Sequence, residues 1–188
     1  TRTLLIDSKT NTNIGKSPLF PKYETFADFL SNTIIGKRKH TISEFFYRTQ
    51  HIQQLGGYQI YPAGYYADDA SILLFCNNNG IASTEESLIV YRKSENNISS
   101  SSCWNVEKSK AALKYYQWII DEFPMKQQDE QIIQQRLDFD LYTYFSAALN
   151  IHQSIQILNC IPVNIWNWKK KLLCLYKFIL NSYAKQIK

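Results

Sequence analysis

Gly56-Gly57-Tyr58-Gln59-Ile60-Tyr61-Pro62-Ala63-Gly64-Tyr65-Tyr66-Ala67-Asp68-Asp69-Ala70 is the stretch on which the reading of this chain turns. Glycine and proline let backbone approach a ligand closely, tyrosines line clefts, and paired carboxylates can move a proton or hold a cation. The two acids run directly into Ile72-Leu73-Leu74-Phe75. They therefore also suit a helix N-terminus, where a carboxylate accepts from unpaired N–H groups and favours the positive end of the dipole. Capping and proton transfer are compatible uses of the same side chains.

Working outward from there, residues 69–77 predict a helix, Asn77-Asn78-Asn79-Gly80 a turn, and residues 81–83 and 88–91 two short strands. Upstream, residues 49–55 read as a short helix closed by Gly56-Gly57, and the aromatic-rich segment 42–47 as a strand. Residues 23–35 carry Phe26, Phe29, Leu30 and Ile34 at helical spacing, with Gly36 as a stop. Residues 14–21 read as loop and 3–6 as a strand.

Composition changes across Ser94-Glu95-Asn96-Asn97-Ile98-Ser99-Ser100-Ser101-Ser102, a polar run expected to be a linker. All six glycines precede it and all four tryptophans follow it. The expected division is residues 1–98, mixed α/β, and 99–188, helical. In the second part Ala112, Tyr115, Tyr116, Ile119 and Phe123 form one apolar stripe, stopped by Pro124. Ile133, Leu137, Leu141, Tyr144, Phe145 and Ala148 form another, and Ile165, Trp168, Leu172, Leu175, Tyr176, Ile179 and Tyr183 a third. Such stripes are expected to face a common core.

An apolar fraction of 45% with 20% charge over 188 residues is that of a globular chain. No run approaches the ~18 apolar residues of a membrane span. The net charge of +5 is uneven: residues 1–100 are nearly balanced, whereas 165–188 hold six lysines and no acid. A nucleic-acid binder would more often spread a basic, Arg-bearing face. Cys76, Cys103, Cys160 and Cys174 lack C-x-x-C spacing and read as free thiols. His40, His51 and His152 have no metal-ligand spacing, and His51 is expected at the surface. The chain's one Met is Met125, so it is expected to be an excised piece of a longer protein.

The order Gly56-Gly57, then Asp68-Asp69, an apolar helix, Gly80-Ile81, a strand ending Val90-Tyr91-Arg92 and Asn96-Asn97-Ile98-Ser99 resembles the C-terminal half of the bacterial family-2 glycosyltransferases. The resemblance covers roughly residues 41–99, and more weakly the strand at 3–7. It implies a partial GT-A-like (Rossmann-like) mixed sheet with helices, followed by an all-helical C-terminal extension. It also implies hexosyl transfer, with inversion, from a nucleotide-sugar donor to a glycan or glycolipid acceptor in cell-envelope polysaccharide synthesis. By the resemblance Asp69 is the general base and Asp68 stands where the family usually has Glu, against the acceptor. Gly57, Tyr58, Tyr61, Tyr65 and Tyr66 are the expected acceptor contacts, and Arg92 and Lys93 the expected diphosphate contacts.

The family's nucleotide-binding units and Asp-x-Asp metal motif have no counterpart here, since Asp7-Ser8-Lys9 is not one. Where the family often has a His after the last strand, Ser94 stands. A divalent cation (Mg or Mn) is thus implied for the full-length enzyme, with none expected bound here and no transfer by this piece alone. Residues 164–188 form an amphipathic, lysine-bearing segment with Trp166 and Trp168 near its start. It fits either a helix packed on its own domain or a peripheral contact with the inner face of the cell membrane. The expected location is accordingly cytoplasmic, and no nucleic-acid partner is expected. The alternative to an enzyme is a non-catalytic carbohydrate-binding or membrane-surface module whose aspartates only cap a helix. A metal-dependent hydrolase or phosphotransferase using Asp68 and Asp69 as ligands is a weaker third option, for want of further ligands.

Overall fold

The structure, a computed structural model, describes residues 2–38, 42–77, 79–84, 88–93 and 100–186. His40, Ser94 and the Asn96-Asn97-Ile98-Ser99 run lie outside the described residues, as do the side chains of Lys93, Tyr183 and Lys185. Among the described residues the chain is mixed α/β, with a small mixed sheet and seven α-helices. It divides into two compact units, Thr1–Ile60 with Tyr66–Ser100, and Tyr61–Tyr65 with Ser101–Lys188.

In the first unit, β1 (Arg2–Asp7) is the central strand of three. It pairs antiparallel with β2 (Asn13–Lys16) and, in register from Arg2↔Leu88 to Asp7↔Lys93, parallel with β5 (Leu88–Lys93). Residues 14–21 are thus not all loop. The Asp7 carboxylate accepts from the Lys9 and Thr10 N–H groups at 2.8 and 2.9 Å, and Asn11 turns left-handed at φ 57°. That side-chain-stabilised reversal folds β2 back on β1. The same two N–H bonds hold the Asp7 carboxyl below its ordinary range.

The expected helix at 23–35 begins later, as α1 (Phe26–Ile34). The Thr25 hydroxyl accepts from Asp28 N–H at 3.2 Å and so caps the helix there. Tyr23 and Glu24 peel away as β3 (Tyr23–Glu24), pairing with β4 (Ile81–Ala82). Segment 42–47, expected as a strand, is instead a 3-10 turn at Ile42–Glu44 followed by unpaired chain. Its aromatics pack rather than ladder: Phe45 meets Phe29 edge-on at 6.4 Å, and Tyr47 meets Phe75 at 5.0 Å. Phe46 alternates outward, 86% exposed. Period-two alternation is present, but what it serves is side-chain packing.

Helix α2 (Thr49–Gln54) ends at Gly56 and Gly57, both left-handed, as expected. Helix α3 (Ala67–Cys76) buries Ile72 and Leu73 completely and carries Phe75 into the aromatic cluster. His51, expected at the surface, is half-buried with Nε2 2.9 Å from the Phe75 carbonyl. Gly80 closes α3 onto β3. A methyl group there would stand 2.3 Å from the Glu24 carbonyl oxygen, at a φ of +64°. Gly57, with φ +87°, has open space around it. Gly80→Ala is therefore expected to cost more than about 2 kcal/mol, the left-handed penalty with a backbone clash added. Gly57→Ala should lose about 1 kcal/mol by strain alone. Urea unfolding of the two variants compares them directly, and equal losses would remove the clash as the cause.

In the second unit, α4 (Asn105–Glu122) packs against α5 (Gln127–Ser146) and α6 (Ile151–Cys160), and α6 against α7 (Trp168–Gln186). The first two stripes face inward: Ala112, Tyr115, Tyr116, Ile119, Ile133, Leu137, Leu141 and Phe145 are all buried. Within that core the Tyr116 hydroxyl donates to Asp140 Oδ2 at 2.6 Å, and burial foremost pushes the phenol pKa up. Helix α6 does not follow from apolar spacing, because two of its four buried residues, Gln153 and Ser154, are polar. Gln153 Nε2 donates to the Ser102 carbonyl at 2.9 Å, and the Ser154 hydroxyl to the Asn150 carbonyl at 3.1 Å.

Four residues of the third stripe are turned the other way, while Ile165 and Leu175 are half-buried. Trp168, Leu172, Tyr176 and Ile179 are exposed, and α7 sits down instead through Cys174 and through Phe178, whose ring meets Phe145 at 5.8 Å. Lys170 Nζ bonds the Asp138 carboxylate, and Lys171 Nζ donates to the Ile161 carbonyl. Trp166 precedes α7 and is fully buried, so it belongs to the core and offers no lipid contact. All four cysteines are free thiols; Cys76 and Cys174 are buried, whereas Cys103 is exposed.

Candidate functional site

The first turn of α3 places Asp68 and Asp69 at a helix N-terminus, each half-buried. The cap is Tyr66, left-handed at φ 63°, whose side chain makes no capping hydrogen bond. Its carbonyl accepts from Ala70 N–H at 3.0 Å, the first intrahelical bond, so residues 67–69 form the first turn. The two carboxylates therefore sit at the positive end of the helix dipole. Asp68 and Asp69 are first-turn residues and not the cap itself, since the helix starts two residues earlier than expected.

Backbone strain concentrates beside the acids. Ala63 (φ 52°) and Tyr66 (φ 63°) are non-glycine residues in the left-handed region within four positions, with Gly64 (φ 70°) between them. Each costs on the order of 1–2 kcal/mol, and such strain persists where surrounding structure over-determines it, often at functional sites. One restraint is Ser71, fully buried, which the sequence analysis did not single out. Its hydroxyl accepts from Gln59 N–H at 2.8 Å and donates to the Ala67 carbonyl at 2.6 Å. It ties the glycine–tyrosine loop to the first turn of α3. A serine inside an apolar run, four residues after a helix start, is a faint signal for such a bond.

The expected acceptor contacts separate. Tyr58 and Tyr66 belong to the unit that carries the acids; Tyr58 is 49% exposed and stands edge-on to Phe75 at 5.5 Å. Tyr61 and Tyr65 belong to the helical unit. Tyr61 is buried, edge-on to Tyr115 at 6.3 Å with Lys114 Nζ 4.7 Å from its ring centroid, and burial raises its phenol pKa to about 12. Tyr65 is half-buried, with Tyr144 at 5.9 Å and Lys108 Nζ 5.3 Å from the ring. Tyr47, also not singled out, lies near Asp68: burial foremost raises its pKa, with Asp68 among the charges contributing, and its buried hydroxyl has no hydrogen-bond partner among the described residues.

Arg92 is exposed on β5, in register with Ile6, and donates to Asn11 Oδ1 at 3.2 Å. At the other end of α3 from the acids, Phe75, Cys76, Asn79 and Gly80 join Arg48 and His51 around a cleft of about 740 Å³. Among the described residues no group of three or more His, Cys, Asp and Glu side chains is placed to hold a metal. The divalent cation implied by the resemblance thus has no cradle in these residues. Compared with known protein families, with curated proteins and with solved structures, the chain matches none.

Proposed function

We propose that the acid-bearing unit is the acceptor side of an inverting glycosyltransferase, working at the cytoplasmic face of the cell membrane on a glycan or glycolipid under construction. The observation that carries this reading is the pair Asp68 and Asp69, half-exposed in the first turn of a helix that starts from a strained, left-handed Tyr66. In the proposed reaction the acceptor hydroxyl gives its proton to the Asp69 carboxylate as its oxygen attacks the anomeric carbon. The bond to the nucleoside diphosphate breaks on the opposite side, so configuration inverts. Asp68 orients the acceptor sugar, with Tyr58 and Tyr66 as the stacking surfaces. Tyr61, buried as it is, has no face left for a sugar. Donor binding, and the cation that would screen the leaving diphosphate, are assigned to parts of a longer parent protein. In that parent, Arg92 is the proposed diphosphate contact.

The test is a panel of nucleotide sugars offered to the full-length parent with a glycan acceptor, product anomers read by NMR. Transfer with inversion is expected, and none from the 188-residue chain alone. A product of retained configuration, or no diphosphate release with any donor, would overturn the proposal and favour a non-catalytic carbohydrate-binding module.

A further inference from the structure

Helix α7 presents to solvent the apolar residues that its spacing would assign to a core. Trp168, Leu172, Tyr176 and Ile179, with Leu173 and Leu180 beside them, are between 37% and 62% exposed. At 100° per residue they fill a single arc of the helix. The opposite side is held down by Cys174 and Phe178 and by the inward bonds of Lys170 and Lys171. The outward arc is therefore where firm anchoring of the other face leaves it. Lys169 lies within that arc and Lys177 at its edge, both exposed.

What covers such a face follows from its charge. Residues 141–188 contain six lysines and no Asp or Glu. A second copy pairing through its own α7 would bring lysine to lysine, with no carboxylate on either helix to pair them. A bilayer with anionic headgroups offers apolar depth and negative charge together. Among the described residues no helix is long and apolar enough to cross a membrane, which leaves a helix lying in the plane of the surface.

We propose that α7 docks the chain on an anionic lipid bilayer, with Trp168, Leu172, Tyr176 and Ile179 at the acyl boundary and Lys169 and Lys177 reaching the headgroups. The lysine stems run along the apolar surface while their ammonium groups stay at headgroup level. This stands on the helical unit alone, so its failure leaves the proposed sugar transfer untouched and removes only the membrane location from that reading.

The experiment is co-sedimentation of the 188-residue chain with vesicles of phosphatidylcholine, neat or with about a third phosphatidylglycerol. Partition into the anionic vesicles is expected to exceed that into neutral ones by at least tenfold. Lys169→Gln with Lys177→Gln should lower it roughly thirtyfold. Leu172→Ser with Tyr176→Ser should remove binding to both vesicles while leaving the circular dichroism spectrum unchanged, since both side chains are exposed. Independently of any effect on folding, brominated acyl chains should quench the indole emission of the wild-type chain. Equal partition into both vesicles, or wild-type binding by the double lysine variant, would overturn the proposal. So would absent quenching, or a solution dimer that the Leu172 and Tyr176 substitutions dissolve with no vesicle binding by the parent chain.

Discussion

Asp69→Asn in the full-length parent is expected to lower the rate of sugar transfer by about a thousandfold or more, with donor affinity within about twofold of wild type. The amide keeps the shape and polarity of the side chain but cannot take a proton from the acceptor hydroxyl. Its position in the first turn of α3 means that the helix loses one favourable charge, worth about 0.3–1 kcal/mol, and should still form. Chemistry and folding therefore separate in size: a large loss of rate against a small loss of stability. Asp68→Asn, in the orienting role, should raise the acceptor KM more than it lowers kcat. Single-turnover transfer measured beside donor titration distinguishes the two variants. If Asp69→Asn retains more than about a tenth of the rate, the acid serves its helix and not the reaction.

How much of this was legible in the sequence depended on whether a segment's apolar pattern and its actual contacts agreed. They agree for α2, whose glycine stop is left-handed at Gly56 and Gly57, and for β5, which lies beside β1. They agree for the inward faces of α4 and α5, where every stripe residue is buried except Ala148, half-buried beyond the end of α5. They disagree at 42–47, where alternating aromatics pack on Phe29 and Phe75 without a partner strand. In α6, polar Gln153 and Ser154 take core positions because neighbouring carbonyls receive their hydrogens. Helix α7 is the instructive failure, since its most regular apolar stripe faces out while lysines, usually read as the solvent side, anchor it. For the candidate site, the acidic pair was legible at the start of α3. The strained Tyr66 and the Ser71 tie were not, since backbone dihedrals and a single hydroxyl bond leave no periodic trace. Residue type within one loop also put Tyr61 and Tyr65 in one set with Tyr58 and Tyr66, whereas the fold uses the first two to pack the helical unit.

Trp166→Ala is expected to destabilise the helical unit by about 3–5 kcal/mol, the largest stability effect in the chain. The indole is fully buried and meets Phe145 edge-on at 6.4 Å. Its Nε1–H donates to Asp138 Oδ1, the same oxygen that pairs with Lys170 Nζ, and that ammonium lies 4.7 Å from the ring centroid. Two contributions can be told apart by size. The Asp138 and Lys170 side chains are 45% and 37% exposed, so water can replace most of what the polar bonds supply. Asp138→Asn should therefore cost less than about 1 kcal/mol. The buried ring has no such substitute, because removing it opens a cavity among Phe145 and its neighbours that the fixed helices cannot close. Trp166→Phe, which keeps an aromatic ring and loses the N–H, should fall between the two. Urea denaturation of the three variants orders them. A Trp166→Ala loss no larger than that of Asp138→Asn would mean that the polar network, and not the packed indole, joins α7 to the rest of its unit.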